Sequence, residues 1–592
     1  MVDEEKRTNE ALDASKKYNT VVEEASDYVE HFDILETITN VGNDEVFTPR
    51  KTCDMMLDSL PEEVWHNPLY KWLNPATKNG IFEREIALRL DKGLENVIPD
   101  KEERRKHILQ NMIFSIGQTK FTSNVTRRTL YYCSQANRKC DGLKAPDGHY
   151  VNGYSIGNGS WFDDEEGNIK TPCTDHEYVD ANGRRMPSTC KGDDRKKYKC
   201  KYCGIAGDSK YNDANQREKY AYELIHVNHL VLPRYMQDRF FGGDRKMKFD
   251  IIIGNPPYQL SLGNSGGNSS KSKAIYHLFI SQAIALSPKY LCMIVPSRWM
   301  TKTTEGIPDE WVDGILKDKH FVLLHDYVDE HECFPNNNIE GGVCYFLWDR
   351  DSKEYNCKYV IHNPDKTTQV RTGKLDNLNC GIVIRDTECQ KIIKKVQDVD
   401  GQYYLDEKNN FSSMVSPKDF FTNKETLTSS WDGFKTESKG EYNIKYYLNK
   451  NIHKVPFGFV KLADVSKNHA SIPLHKVYIP AALGDNYQVL GRPFVGDSNS
   501  VCSQTYLVIG YDPEKHNFTE GQCKNICSYI TTKFFRYLVA IKKKTQNGPR
   551  GVYQFVPLQD FNEPWSDEKL YKKYNLTSDE IALIEKTIKG LN

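Results

Sequence analysis

The stretch that decides the fold is FDIIIGNPPYQ (249–259). Its first half is a short apolar run, which is typical of a fully buried strand. Two consecutive prolines follow, and proline cannot donate to a sheet ladder and fixes its own φ. We therefore expect the chain to leave a sheet at Asn255 in a stiff turn. That turn would hold one amide, one imide carbonyl and one aromatic ring in fixed relative positions.

The turn formed by Asn255, Pro256, Pro257 and Tyr258 suits a flat base that carries an exocyclic amine. The side-chain oxygen of Asn255 and the carbonyl of Pro256 can each accept one amine hydrogen, which makes the nitrogen more nucleophilic. Tyr258 offers a stacking face, and stacking contributes about 1–3 kcal/mol per base. A base reaches such a pocket only after it leaves the helical stack. The alternative is a proline-rich turn with no function.

Strands and helices alternate around this stretch. The apolar patterns predict helices at 81–94 and 274–287 and further strands at 70–75, 111–117, 290–297, 320–328 and 341–349. This alternation predicts an α/β fold with a doubly wound sheet.

Length and composition limit the class of protein. The chain has 592 residues, so two to four domains are expected, and 38% hydrophobic with 27% charged residues indicates globular domains. The formal net charge is −1, so a site for a polyanion would have to be a local patch. Because no apolar run approaches the roughly 18 residues of a membrane span and the amino terminus is polar, we expect a cytoplasmic protein with no membrane partner.

The texture of the chain predicts four regions. Residues 1–40 are an acidic, helix-prone arm, and 41–380 form the α/β domain. A module rich in Gly, Asp, Lys and Cys, 131–215, is inserted into that domain. Residues 381–592 form an α+β domain with scattered aromatics and basic clusters. It ends in a helical tail where Thr577 has capping chemistry.

The inserted module carries six of the sixteen cysteines. In a cytosolic chain, such cysteines are more often metal ligands than disulfides. Cys200 and Cys203 have the spacing that places two thiolates on one ion, and the following glycine tolerates the tight turn. From the residues alone, Cys133, Cys140, Cys173, His176 and Cys190 are candidates for the remaining ligands, and a set of buried thiols is the alternative.

Several stretches together resemble one family. FDIIIGNPPYQ resembles motif IV of the amino-methyltransferases that methylate adenine N6 in DNA. DEVFTPRKTCDMML (44–57) resembles motif X, and WLNPATKNGIFEREIA (72–87) resembles motif I. YLCMIVPSRWM (290–300) and CFPNNNIEGGVCYFLWDRD (333–351) resemble motifs VI and VIII. The order of these motifs resembles that of gamma-class, type IIG restriction-modification methylases.

The resemblance implies a Rossmann-like domain that binds S-adenosylmethionine. Asn74 stands where motif I usually has Asp, Lys78 replaces its first Gly, and Gln118 stands where motif II usually has an acid. We expect Lys78 to narrow the cofactor's approach or to contact its carboxylate. The implied cofactor-binding residues are Phe47, Thr48, Pro49, Asn74, Pro75, Ala76, Gly80, Phe82, Gln118 and Asn255.

The resemblance also implies the catalytic and metal residues. Asn255, Pro256, Pro257 and Tyr258 would be catalytic, and Phe334 would join Tyr258 in the base pocket. A structural zinc would be bound by Cys133, His176, Cys200 and Cys203, with Cys173 and Cys190 as substitutes.

The C-terminal region is expected to recognise the DNA target. Its basic cluster contains Lys542, Lys543, Lys544 and Arg550, which are interleaved with Tyr553 and Phe555. Basic side chains next to aromatic ones are typical of a surface that contacts phosphates. A solvated charged face is the alternative for each of these residues.

The implied function is site-specific methyl transfer to adenine N6 after base flipping, within a restriction-modification or phage-defence system. Two alternatives are a weakly catalytic DNA-specificity subunit and, with less support, a protein glutamine methyltransferase, which is usually much shorter. About 40 residues precede motif X, too few for a nuclease domain. We therefore expect double-stranded DNA as a partner, and a restriction nuclease or helicase subunit if cleavage is coupled.

Overall fold

The computed structural model describes residues 46–131, 134–137, 154–155, 159–207, 221–261, 272–423, 425–482, 489–543 and 547–591. The predicted acidic arm, 1–40, lies outside them. The chain divides into two compact units. The first contains Met1–Val295, His331–Asn337 and Tyr345–Asp351, and the second contains Pro296–Glu330, Asn338–Cys344 and Ser352–Asn592. The boundaries predicted at 131–215 and 380 remain predictions.

The first unit is built on short strands. They are β1 (Trp72–Thr77), β2 (Ile113–Gly117), β3 (Tyr154–Ser155), β4 (Gly159–Ser160), β5 (Ile169–Lys170), β6 (Tyr178–Val179), β7 (Lys199–Cys200), β8 (Ile251–Gly254), β9 (Gln259–Ser261), β10 (Ser272–Ala274) and β11 (Tyr290–Pro296).

Five of these strands pair in parallel in the order β11–β8–β1–β2–β5. Ile251 of β8 lies between Trp72 of β1 and Tyr290 of β11. Strands β1, β2, β8 and β11 are buried along their whole length, as expected when both faces of a parallel sheet are covered. The chain adds β2 and β5 on one side of β1 and then returns to add β8 and β11 on the other. In such sheets, ligands bind at the carboxyl ends of the strands where this order reverses, here between β1 and β8.

Helices follow the strands of the first unit. They are α1 (Arg50–Asp58), α2 (Glu63–His66), α3 (Ile81–Gly93), α4 (Lys101–His107), α5 (Lys120–Tyr131), α6 (Leu232–Phe241) and α7 (Tyr276–Ala285). Helix α3 starts directly after the loop that ends β1. It buries Ile81, Phe82, Ile86 and Leu90, whose spacing places them on one face.

The second unit is mixed α and β. Its strands are β12 (Phe321–Tyr327), β14 (Cys357–His362), β15 (Thr368–Gly373), β16 (Ile444–Tyr447), β17 (Phe457–Val460), β18 (Lys476–Pro480), β19 (Phe494–Gly496), β20 (Ser500–Cys502) and β21 (Tyr506–Ile509), while β13 (Val343–Asp349) has residues in both units. Its helices are α8 (Asp309–Leu316), α9 (Thr387–Asp400), α10 (Lys450–His453), α11 (Glu520–Thr531), α12 (Lys533–Lys542), α13 (Asp567–Lys573) and α14 (Ser578–Thr587).

Three sets of strands pair within this unit. Strand β12 is parallel to β14, which is antiparallel to β15. Two three-stranded sheets follow, in the orders β17–β16–β20 and β19–β18–β21. One hydrophobic cluster packs α9, α11 and α12 against β18 and β21, and a second gathers around Phe421, Tyr446 and Val501.

The element types predicted from the sequence are confirmed. Each predicted strand and both internal helices are present, with ends that differ by a few residues. The tail helix α14 begins with a capping box, in which Thr577 Oγ1 accepts from the amide of Glu580 and the Glu580 side chain accepts from the amide of Thr577. Among the helices of the described ranges, none has both the length and the apolar composition needed to cross a membrane.

Candidate active site

The Asn-Pro-Pro-Tyr turn lies at the carboxyl end of β8, beside the carboxyl end of β1. The closeness of the two strands depends on Gly254, because a Cβ atom there would lie 2.6 Å from Oδ1 of Asn74. That same Asn74 oxygen accepts a hydrogen bond from the amide of Ala76 at 3.2 Å. The sheet therefore places the turn at the position where doubly wound folds bind ligands.

Asn255 is held by its amide nitrogen, which leaves its oxygen without a described partner. Nδ2 donates to the carbonyl of Val46 at 2.9 Å and to Oγ1 of Thr48 at 3.0 Å. The residue is 3% exposed, and Oδ1 is buried with no hydrogen-bond partner among the described residues. An acceptor left unpaired in the interior costs about 1–3 kcal/mol. A ligand that donates to Oδ1 would remove that cost.

Lys78 points to the same carbonyl. Its Nζ donates to Val46 at 2.7 Å, and the residue is 6% exposed. The carbonyl of Val46 thus receives one donor from the loop after β1 and one from the turn after β8. Lys78 therefore secures the segment that starts at Val46, a role that the sequence did not predict.

Tyr258 closes the turn. Pro256 and Pro257 are buried, and Tyr258 is 8% exposed. The carbonyl of Tyr258 accepts from the amide of Ile275 at 3.1 Å, and its ring meets that of Tyr276 edge-on at 6.5 Å. Antiparallel pairing of β9 with β10 brings these two residues together. Residues 262–271, between the two strands, lie outside the described ranges.

The loop after β1 requires glycine for two reasons. Gly80 has φ of 83°, a left-handed conformation, and a Cβ atom there would lie 2.9 Å from Cβ of Thr129. Oγ1 of Thr129 donates to the carbonyl of Asn79 at 2.7 Å. Gly80 thus allows α5 to pack against the loop, and Phe82 is buried behind it.

Two polar side chains below this loop are buried. Gln118 follows β2, and its backbone amide donates to the carbonyl of Thr77 at 3.2 Å. Its side-chain Nε2 is buried with no partner among the described residues. Glu83 on α3 accepts from Oγ of Ser115 at 2.6 Å, and burial raises the pKa of its carboxyl. Sequence reasoning missed Glu83. The sequence feature that could have revealed it is an acidic residue on the apolar face of α3, one turn after Gly80.

The remaining predicted residues near the turn differ in exposure. Thr48 is buried, while Phe47 and Pro49 are half-buried. Phe334 is 0% exposed, so its ring packs in the core.

Known proteins share the central part of this sequence. Residues 111–334 match the family model described as Eco57I restriction-modification methylase. The chain is 43% identical over 380 residues to a Mycoplasma pneumoniae (strain ATCC 29342 / M129 / Subtype 1) protein described as an uncharacterized adenine-specific methylase, which covers 62% of this chain and 83% of the relative. The chain belongs to the adenine-specific methylases.

Solved structures similar to this methylase share little sequence with it. A modification subunit of a putative type I restriction enzyme from Vibrio vulnificus YJ016 is 14% identical, with a TM-score of 0.28, and the match covers 59% of this chain and 51% of that one. The Type ISP restriction-modification enzyme LlaGI, solved with a DNA substrate mimic, is 12% identical, with a TM-score of 0.45. The match covers 92% of this chain and 47% of that one. The methylase thus spans about half the length of these solved chains.

A group of four candidate metal ligands lies in and next to the Cys-rich part of the methylase. His176, Cys200, Cys203 and His226 each offer one ligand atom, and these atoms all lie within 4.8 Å of one another. The structure brings together three of the predicted ligands and adds His226. Cys133 lies outside the described residues. Sequence reasoning missed His226, because a single histidine far from the cysteine pair carries no distinguishing pattern.

The two substitute cysteines lie outside this group. Cys173 is exposed, and its Sγ is 3.3 Å from the hydroxyl of Tyr235. Cys190 is half-buried in a turn.

The basic cluster of the second unit is partly engaged within the protein. Nζ of Lys542 donates to Gln554 at 2.7 Å, and burial lowers the pKa of this lysine. Arg550 forms an ion pair with Glu407 at 2.5 Å. Lys543 is half-buried, and Lys544 lies outside the described residues.

The predicted aromatic part of this patch is wrong. Tyr553 and Phe555 are both 0% exposed and belong to the hydrophobic core. Both rings are therefore core packing residues.

Proposed function

We propose that this methylase transfers the methyl group of S-adenosylmethionine to the N6 amine of adenine in double-stranded DNA, after the base has been flipped out of the helix. The observation that carries the proposal is the buried, unpaired Oδ1 of Asn255. The two contacts of Nδ2 orient the amide so that this oxygen is the group left to bind a ligand. An exocyclic amine supplies the donor that it lacks.

The residues of the turn would divide the work. Asn255 Oδ1 and the carbonyl of Pro256 accept the two amine hydrogens and increase the electron density on the nitrogen. The ring of Tyr258 stacks on the flipped base and offsets part of the cost of unstacking. S-adenosylmethionine supplies an electrophilic methyl group, so transfer is direct and needs no covalent enzyme intermediate.

The residues present fit this cofactor. Gln118 has a buried Nε2 with no described partner, and this donor suits a ribose hydroxyl. Motif II acids accept from that hydroxyl instead, so the amide replaces a charged acceptor with a neutral group. We propose that Phe47, Thr48, Pro49, Asn74, Pro75, Ala76, Gly80, Phe82 and Gln118 surround the cofactor.

The wider assignments belong to the same proposal. Lys542, Lys543, Lys544 and Arg550 would contact DNA phosphates only after some of them exchange their present partners. A structural zinc would stabilise the Cys-rich module, because four protein ligands leave no open position for water. A restriction nuclease or helicase subunit would be the partner in a defence system.

The test is to identify the product of the reaction. The full chain is incubated with tritiated-methyl S-adenosylmethionine and mixed unmethylated DNA, and the DNA is digested to nucleosides. We expect label in N6-methyladenine with wild type, and label that accumulates about 10²–10³-fold more slowly with Asn255→Ala. Label in another nucleoside would overturn the assignment of the amine.

Calorimetry separates the alternatives. If Asn255→Ala binds S-adenosylmethionine but transfers the methyl group far more slowly than wild type, the loss lies in catalysis and not in cofactor binding. A wild-type chain that binds DNA but neither binds cofactor nor transfers label would instead be a DNA-specificity subunit. Label on a protein glutamine would support the remaining alternative.

A further inference from the structure

The cluster of His176, Cys200, Cys203 and His226 has the geometry and chemistry of a zinc site. Sγ of Cys203 lies 3.5 Å from Nδ1 of His176, and the rings of the two histidines are 4.8 Å apart and nearly perpendicular. A tetrahedral zinc with bonds of about 2.0–2.3 Å places its ligand atoms about 3.3–3.8 Å apart. The observed separations need only small adjustments to reach that range.

The backbone around the cysteines forms a tight knuckle. The amide of Gly204 donates to Cys200 at 2.9 Å, and the amide of Cys200 donates to Ile205 at 2.8 Å. Gly204 has φ of 77°, which glycine adopts without strain. Cys200 and Cys203 are 3% and 2% exposed. Both thiols are therefore directed into one small interior site.

His226 supplies the decisive observation. Its Nδ1 lies 2.8 Å from the carbonyl of Tyr222, and a carbonyl can only accept, so Nδ1 carries the proton. In the neutral ring, Nε2 then holds a free electron pair, and it is buried with no hydrogen-bond partner among the described residues. Histidines that bind metals commonly donate their other ring nitrogen to a backbone carbonyl in this way. The residue is 5% exposed.

The segment that carries His226 is tied to the helix after the catalytic turn. Nε2 of Gln282 on α7 donates to the carbonyl of Leu224 at 2.8 Å and to that of Val227 at 2.7 Å. Residue 275, directly before α7, donates its amide to the carbonyl of Tyr258. Helix α7 thus connects the segment that carries His226 to the backbone of Tyr258.

We propose that His176, Cys200, Cys203 and His226 bind one zinc ion, with His226 as the fourth ligand, and that the ion stabilises α7 and thereby the position of Tyr258. The last clause rests on the proposed function, because only a methylase active on a flipped base needs Tyr258 in place. The metal site itself does not.

The first test counts metal and needs no activity. The full chain, expressed in zinc-supplemented medium, should carry one ion, and Cys133→Ser, Cys173→Ser and Cys190→Ser should keep it. His226→Ala should lose it, and His226→Cys should restore it. With cobalt in place of zinc, wild type should show the visible absorption of a tetrahedral site with two thiolates, and His226→Cys should increase the sulfur-to-metal band. Zinc that survives His226→Ala, or is lost in Cys133→Ser, would overturn the ligand set.

The second test follows the coupling by hydrogen exchange. We expect chelator treatment of the full chain to speed exchange of peptides covering 221–229 and 275–285, with no change in peptides covering β2. Faster exchange confined to 170–207 would overturn the link to α7. Because neither readout uses methyl transfer, failure of this inference is distinguishable from failure of the proposed function.

Discussion

Replacing Lys78 by methionine tests how the two sides of the candidate site are joined. The change removes the ammonium that lies 2.7 Å from the carbonyl of Val46 and keeps an apolar chain of similar length. Nδ2 of Asn255 remains as the second donor at 2.9 Å. A hydrogen bond from a charged group contributes about 1.5–3 kcal/mol. We expect the free energy of unfolding of the first unit to fall by that amount.

Thermal unfolding measures this loss. A loss of 1 kcal/mol lowers Tm by about 2–4 °C in domains of about 150–250 residues. The matched control is Lys71→Met, because Nζ of Lys71 also donates to a backbone carbonyl, that of Asn111 at 3.2 Å, but from a half-buried residue and in a solvent-exposed contact. The control should lower Tm by less than Lys78→Met does. Equal Tm values for Lys78→Met and wild type would refute the structural role.

Calorimetry with two ligands separates this role from the one expected from the sequence. If Lys78 secures the segment after Val46, Lys78→Met weakens S-adenosylmethionine and its decarboxylated analogue by the same factor. If Lys78 contacts the cofactor's carboxylate, wild type prefers S-adenosylmethionine over the analogue and the variant loses that preference. The second pattern would refute the reasoning from the structure.

Three further predictions concern stability. Burial lowers the pKa of Lys476 to about 7 from 10.5, so between these values the unfolded state binds more protons. The pH slope of the free energy of unfolding of the second unit, measured by urea unfolding between about pH 7 and 8, should therefore be more positive in wild type than in Lys476→Met, and equal slopes would be inconsistent with it. Gly80→Ala should lower the free energy of unfolding, measured by thermal unfolding, by at least the roughly 1–2 kcal/mol of a left-handed residue. The control is Gly183→Ala, because Gly183 has φ of 78° but no atom within 4 Å of the added Cβ, and it should lose less. Equal losses would mean that crowding at Gly80 contributes nothing. Asp326→Asn should lower the free energy of unfolding, measured in urea, by about 3–5 kcal/mol. The reason is that Asp326 is 0% exposed and accepts two hydrogen bonds from Arg385. A loss below about 1 kcal/mol would contradict a buried ion pair.

The local patterns of the sequence were sufficient for six strands of the α/β fold and for the turn after β8. An apolar run that ends in Asn-Pro-Pro has few other structures available, and Asn255 lies where that argument placed it. The partner of Lys78 could not be predicted, because Val46 lies 32 residues away in sequence. His226 was missed for the same reason. Its role depends on the Tyr222 carbonyl and on a cluster formed by distant residues.

The basic patch shows the opposite error. Tyr553 and Phe555 follow a basic cluster, which suggests a surface, but both are core side chains. When the segments next to a short helical turn are irregular, the sequence pattern cannot show which side of the turn faces the interior.

The most direct test of the central claim is the single-turnover rate of methyl transfer with saturating cofactor and DNA. We predict that Asn255→Ala lowers this rate, at saturating cofactor, by about 10²–10³-fold, the effect typical of losing one polar group that stabilises developing charge. The control is Asn410→Ala, which removes a buried amide that donates to two backbone carbonyls in the second unit and should retain the wild-type rate. An Asn255→Ala rate within a few-fold of wild type would contradict the assignment of Oδ1 as the acceptor for the target amine.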